Sequence, residues 1–169
     1  IKFGVLTFTP LPVMFFKKKI KNFRLSSESE KIKLLKKYKV DFVINIKFNK
    51  NFSKINAKDF IKKIICKKIK PQSLSVSNNF RFGRKRKGDV LLLRKFSKDY
   101  GYKLLKINPF KYLSKTVSST RIRNSLRNGN IKLANKLLSR TWFIDGKVIR
   151  GKKIGRKLGY RTCNIKIKN

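Results

Sequence analysis

Three consecutive hydroxyl side chains, Ser118, Ser119 and Thr120, stand directly before Arg121 and Arg123 in the stretch "VSSTRIRNSLRNGNI", residues 117 to 131. A serine in such a place accepts a hydrogen bond from the backbone and starts a helix, whose first turn leaves free N–H groups and the positive end of a dipole. Hydroxyl donors, free amides and guanidinium charge together suit a polyphosphate. Taken alone, the same residues are also an ordinary helix cap beside two solvated arginines.

A helix carrying Ile122 and Leu126 inward, started at Ser118 or Ser119 and stopped at Asn128-Gly129, must hold this group. A second short helix, "NIKLANKLLS", doubles back after it. Upstream, extended apolar runs alternate with helical patterns. "FGVLTF" (3–8), "DFVINIKF" (41–48), "SLSVS" (73–77) and "YKLLKI" (102–107) read as strands. Between them lie "SSESEKIKLLKKY", where Ser27 and Glu30 have capping-box spacing, and "NAKDFIKKIICKKI", with Phe60, Ile61, Ile64 and Ile65 on one side. "DVLLLRKFSKDYG" opens on Asp89 and stops at Gly101. The alternation predicts an α/β fold, a parallel sheet with helices on both faces, and loops at the strand ends are where such sheets bind ligands.

Composition narrows the chemistry. The chain has 169 residues, 47 Lys plus Arg against 7 Asp plus Glu, a net charge of +40 and no histidine. Without histidine there is no Ser/His/Asp triad, no Cys/His dyad and no His-rich metal site in these residues. The charge suits phosphates of nucleic acid, but the 35 lysines are spread through every predicted element beside 18 Ile and 14 Asn, the pattern of AT-biased coding drift. A solvated surface is the expectation, and a nucleic-acid partner, though not expected, stays open on charge alone. Cys66 and Cys163 lie far apart without CxxC spacing, as in a reducing, cytoplasmic setting. The longest apolar runs, such as "VLLL" (90–93), are too short to span a bilayer, so no membrane partner is expected. The chain opens on Ile1 inside an apparent strand, and a fragment is expected.

Four motifs in order carry a resemblance. "VSSTRIR" is similar to the I/V-S-S-T-x-I-R segment of nucleotidylyltransferases. "NNFRFGRKRKGD" (78–89) resembles the D/N-F-R-F-G-x-x-R-x-G-D loop of the bacterial bifunctional riboflavin kinase/FAD synthetases, and "VLTFTPLP" resembles that family's V-x-T-F-x-P-H-P, with Leu11 in place of its histidine. "WFIDGKVIRGKKIGRKLGYRTCNI" resembles the start of the family's kinase domain, G-x-V-x-x-G-x-x-x-G-R-x-L-G-x-P-T-A-N, with Arg161 and Cys163 replacing Pro and Ala.

The resemblance implies a nucleotidylyltransferase-like domain over 1–140, N-terminally incomplete, and the truncated start of a β-barrel-like riboflavin kinase domain over 141–169. It implies FAD synthesis from FMN and Mg-ATP, and riboflavin phosphorylation in the complete chain; a fragment lacking the upstream histidine motif and most of the kinase domain is expected to be inactive alone. Ser118, Ser119, Thr120 and Arg123 would hold the ATP phosphates, Arg123 as the catalytic cation, with Arg121 at the variable position of the motif. Asn79, Phe80, Arg81, Phe82 and Gly83 would border flavin and adenine, their aromatic faces open to a planar ring; a basic surface turn is the plainer reading. Gly151, Gly155 and Gly159 would let backbone approach phosphates, and Thr162 (as Mg2+ ligand) and Asn164 would take the kinase Mg-ATP. Two rivals remain: a nucleotidylyltransferase for another phosphate, with no use for "FRFGRKR" or "GKKIGRKLGY", and a basic nucleic-acid-binding protein.

Overall fold

Local sequence accounts for most element boundaries in the computed structural model, which describes residues 1–20, 23–151, 154–160 and 163–167. Helix α1 (Pro12–Phe16) is short, and Ser27 starts helix α2 (Glu28–Lys37) with a complete capping box: its Oγ accepts from the Glu30 N–H, and the Glu30 carboxylate accepts from the Ser27 N–H. Asp89 caps α5 (Val90–Tyr100) by accepting from the Leu92 N–H at 2.9 Å. Gly101 ends that helix at φ +71, a left-handed conformation that costs glycine nothing.

The extended runs form strands where the alternation predicts them. β1 (Gly4–Thr9) pairs with β2 (Phe42–Lys47). The Phe3 carbonyl accepts from Asp41 and the Thr9 carbonyl from Phe48, so the two run the same way. β3 (Ser73–Ser77) and β4 (Lys103–Ile107) are parallel, Ser73 opposite Lys103 and Ser77 opposite Ile107, with α5 as the crossover. Among the described residues each pairing stops at two strands, so the structure is mixed α/β with small parallel sheets. A short hairpin, β5 (Lys111–Tyr112) with β6 (Lys115–Thr116), turns through Leu113 and Ser114 at positive φ.

The chain packs as two units. One comprises residues 8–16 and 45–117. Its core is built by Phe60, Ile61 and Ile65 with Leu93, Phe96 and Tyr102. After a one-turn helix α3 (Lys50–Ser53), the helix expected over 56–69 forms as α4 (Ala57–Asp59) running on into Phe60–Ile69, which is wound as a π-helix, and the Lys70 N–H donates to the Ile65 carbonyl five residues back. That wider winding brings Phe60 and Ile65 to the same buried side, a spacing an ordinary helix would splay. The Tyr102 hydroxyl donates to the Leu93 carbonyl at 2.6 Å, and its pKa is pushed up to about 12 by burial, with a further contribution from Cys66.

The other unit comprises 1–7, 17–44 and 118–169. Helices α6 (Ser119–Arg127) and α7 (Ile131–Leu138) pack together over Ile122, Ala134 and Leu137, joined through Gly129 at φ +70. The segment 23–30 receives three side chains from far along the chain: Arg123 at the Phe23 carbonyl, the Trp142 indole at the Leu25 carbonyl, and Arg140 at Ser26 Oγ and the buried Glu30 carboxylate. Further on, β7 (Gly146–Ile149) and β8 (Asn164–Ile167) are antiparallel, with α8 (Ile154–Lys157) between them.

Candidate active site

Ser118, not Ser119, is the residue that starts α6. Its backbone is extended and its Oγ accepts from the Arg121 N–H at 3.2 Å. That bond uses the oxygen's acceptor side and leaves the hydroxyl proton able to donate outward. Ile122 is buried, as its spacing predicts, while Ser125 is buried in the place where Leu126 was the second expected anchor; the Ser125 hydroxyl donates to the Arg121 carbonyl, and Leu126 is half-buried.

A cleft of about 480 Å³ opens along this helix. Ser118, Thr120 and Arg121 line it at the helix start, and Asn124 and Asn128 continue the wall one and two turns further along the face of Thr120. Asn130 and Leu133 close it from the α7 side. Asn130 is itself an N-cap, accepting from the Leu133 N–H at 3.0 Å. Asn124 on α6 and Asn128 at its C-cap are not singled out by sequence motif, although their four-residue spacing from Thr120 is the signal that places them on its face.

Arg123 stands apart from this lining. Its Nε donates to the Phe23 carbonyl at 2.8 Å, and its guanidinium lies over the Phe23 ring, 3.7 Å from the centroid. Burial, then the neighbouring Arg127 charge, lowers its pKa, and it remains a cation because guanidinium starts so high.

The loop residues belong to the other unit and divide by burial. Phe82 is 7% exposed, packed on Phe60 with ring centroids 5.5 Å apart, and exchanges backbone hydrogen bonds with Gly88 at 3.1 and 2.9 Å. Gly83, at φ +72, sits so close to Ala57 that an added Cβ would lie 2.7 Å from its backbone. Phe82 is a core residue, and Gly83, half-buried, rests against that core. Asn79 and Arg81 are exposed and Phe80 is half-buried, stacked on Phe82. Arg81 pairs with Asp89 at 3.2 Å, and Asn79 accepts from the Ser77 hydroxyl at 2.9 Å.

In the last segment, the Asn164 carboxamide packs against Gly151, where any Cβ would occupy the same space, and Gly159 adopts φ +81 after α8. Gly155 is within α8, its carbonyl accepting from Leu158 and Tyr160. Thr162 lies outside the described residues. Among the described residues no three His, Cys, Asp or Glu side chains cluster as a metal site, and no helix is long and apolar enough to cross a membrane.

The fold and this site define a mixed α/β protein presenting hydroxyls, amides and an arginine along one helix. The FAD synthetase family matches residues 1–121, and the riboflavin kinase family matches residues 138–169. The chain belongs to the FAD synthetase family. It is 41% identical over 165 residues to a bifunctional riboflavin kinase/FMN adenylyltransferase of Buchnera aphidicola subsp. Schizaphis graminum, covering 97% of this chain and 53% of that protein. It is 33% identical over 164 residues to the protein of the same name from Escherichia coli strain K12, covering 97% and 52%. The chain thus spans about half the length of the curated relatives it matches. A crystal structure described as a macrolide-efflux protein from Streptococcus pneumoniae shares the fold, with a TM-score of 0.81 at 23% identity, covering 100% of this chain and 55% of that one.

Proposed function

We propose that the protein transfers AMP from Mg-ATP to FMN, making FAD, and that residues 141–169 begin a domain that phosphorylates riboflavin to FMN. The observation that carries this reading is the α6 cleft. Two of the residues the resemblance assigns to ATP phosphates, Ser118 and Thr120, share one wall of a cavity at a helix start with Arg121, at the variable position of the motif. An oxygen of the FMN phosphate attacks the α-phosphorus of ATP, the bond from that phosphorus to the bridging oxygen breaks, and pyrophosphate leaves with the electron pair. Such a transfer needs alignment and neutralisation of oxygens more than a covalent partner. The Ser118 and Thr120 hydroxyls and the α6 amides donate to phosphate oxygens, and Arg121 and Arg123 neutralise charge as it shifts to the leaving pyrophosphate. Asn79, Phe80 and Arg81 border the flavin and adenine, held in place by Phe82 and Gly83.

In the same reading, the small parallel pairs are parts of a nucleotidylyltransferase-like sheet with helices on both faces over 1–140, and β7 and β8 are the first strands of a barrel-like kinase domain. Magnesium enters with ATP. The Asn164 amide oxygen and the Thr162 hydroxyl are hard donors that suit it at the kinase end, alongside the backbone of Gly151, Gly155 and Gly159. Both cysteines are free, Cys66 and Cys163, which agrees with a cytoplasmic protein. The test is incubation of the protein with Mg-ATP and FMN, with FAD resolved by chromatography and flavin fluorescence. FAD formation dependent on both substrates is expected from a chain extended to the length of its relatives, and none from residues 1–169 alone. Salt-sensitive duplex binding without any response to FMN would replace this reading with a nucleic-acid one.

A further inference from the structure

Arg123 is held in an unusual way for a residue whose task is to meet phosphate. Of its five N–H donors, the Nε–H is taken by the Phe23 carbonyl at 2.8 Å. One face of the guanidinium is covered by the Phe23 ring at 3.7 Å. The same residue therefore supplies both a hydrogen-bond acceptor and a flat support, across a hundred residues of sequence. A guanidinium gripped along its Nε edge and one face can present only its Nη edge, which is the edge that meets two oxygens of a phosphate in parallel. The repulsion from Arg127 and the partial burial of Arg123 work against this arrangement, and the Phe23 ring and carbonyl offset both.

We infer that Phe23 is a positioning residue for Arg123: it does not touch the nucleotide, and it sets the plane and the free edge with which Arg123 meets phosphate. The inference rests on the proposed role of Arg123 in ATP binding. Phe23 lies outside the four family motifs, and what it recognises is a cationic plane rather than a ligand.

The experiment is a double-mutant cycle on MgATP affinity, read by calorimetry, with Arg123→Lys, Phe23→Leu and the double variant, and with Phe23→Tyr as the conservative control. Lysine keeps the charge but has neither a plane to stack nor an Nε–H to anchor. Phe23→Leu is expected to weaken MgATP binding roughly fivefold to tenfold, of the order of one lost cation–π contact. Phe23→Tyr is expected to bind like the wild type. In the Arg123→Lys background, Phe23→Leu is expected to add less than about a twofold loss, because there is no guanidinium plane left to position. A second readout is independent of ATP: exchange of the Arg123 Nε–H with solvent, followed by NMR, is slow in the wild type and faster in Phe23→Leu. If Arg123→Lys weakens MgATP binding while Phe23→Leu leaves it unchanged, Phe23 has no positioning role and the ATP role of Arg123 stands. If MgATP affinity is indifferent to Arg123→Lys, the ATP role itself fails and the inference falls with it, whatever the exchange rates. Equal losses from Phe23→Leu in both backgrounds would show a general effect on the fold and overturn the inference.

Discussion

The loop at 79–83 and the helix start at 118–123 carry their candidate residues by opposite means. In the loop, placement comes from packing: Phe82 is buried against Phe60, Gly83 rests on Ala57, and the more accessible Asn79, Phe80 and Arg81 are carried on that anchor. At the helix start, placement comes from hydrogen bonds. Ser118, Ser119 and Thr120 are exposed, and one serine-to-amide bond sets the geometry. A packed site cannot be altered without disturbing the fold, whereas a capped one exposes its functional groups at the cost of little stability. The two regions should therefore respond differently to the same kind of truncation.

The largest effect is expected on the packed side. Phe82→Ala removes a ring that touches both Phe60 and Phe80 and should cost roughly 3–5 kcal/mol of stability, the usual range for a buried phenylalanine. Urea unfolding measures it. A loss below about 1 kcal/mol would break the comparison, since the loop would then not be part of the core.

Arg123→Ala comes next, and reverses the pattern. The helix keeps Ile122, so folding should change little, while kcat/KM for the proposed FAD synthesis, measured in a chain extended to the length of its relatives, falls by an amount equal to roughly 2–4 kcal/mol of transition-state stabilisation. Unchanged kinetics in a folded variant would mean that the guanidinium serves only the Phe23 contact.

Ser118 sharpens the comparison because two roles meet on one oxygen. Ser118→Ala should cost about 1 kcal/mol of stability through the lost cap. Ser118→Asp should restore stability, since a carboxylate caps as well, yet weaken ATP binding by placing a negative charge beside the phosphates. Melting temperature and ATP affinity measured on both variants separate the two roles. If Ser118→Asp binds ATP as the wild type does, Ser118 is a cap and nothing more.

Much of this was legible in the sequence where physics is local. The Ser27–Glu30 capping box, the Asp89 and Gly101 ends of α5 and the strands "SLSVS" and "YKLLKI" follow from spacing and residue type, and the structure has them, the two strands pairing in parallel as strand–helix alternation favours. The π winding at 60–69 was not legible, because Phe60, Ile61, Ile64 and Ile65 also satisfy ordinary helical spacing and it is tertiary packing that buries Phe60 and Ile65 together. The continuation of the helix start into a cleft was half legible: Thr120, Asn124 and Asn128 repeat every four residues, but nothing local shows that α7 would close the other side. The destination of Arg123 was not legible at all. Phe23 is a hundred residues away, and only the folded chain brings its carbonyl and ring to the guanidinium.

The smallest effect concerns a single proton on the packed side, in the core of the unit that also holds the 79–83 loop. The Tyr102 hydroxyl is buried and donates to the Leu93 carbonyl, and its pKa is raised from 10.0 to about 12. Below pH 10 both the folded and the unfolded chain hold this proton, so the contribution of the hydrogen bond is complete. Between pH 10 and about 12 the unfolded chain releases the proton first, so each further rise in pH favours unfolding until the folded state also titrates. Stability from this group is thus present at neutral pH and lost as pH climbs through that window. Tyr102→Phe removes the proton and the bond together, costing about 1 kcal/mol below the window, and the gap between wild type and variant should close inside it. Lysine titration acts on both proteins alike, so the difference between their urea midpoints isolates Tyr102. A gap that stays constant as pH rises would mean that the hydroxyl is solvated and that the packed unit is looser around Tyr102 than its 4% exposure indicates.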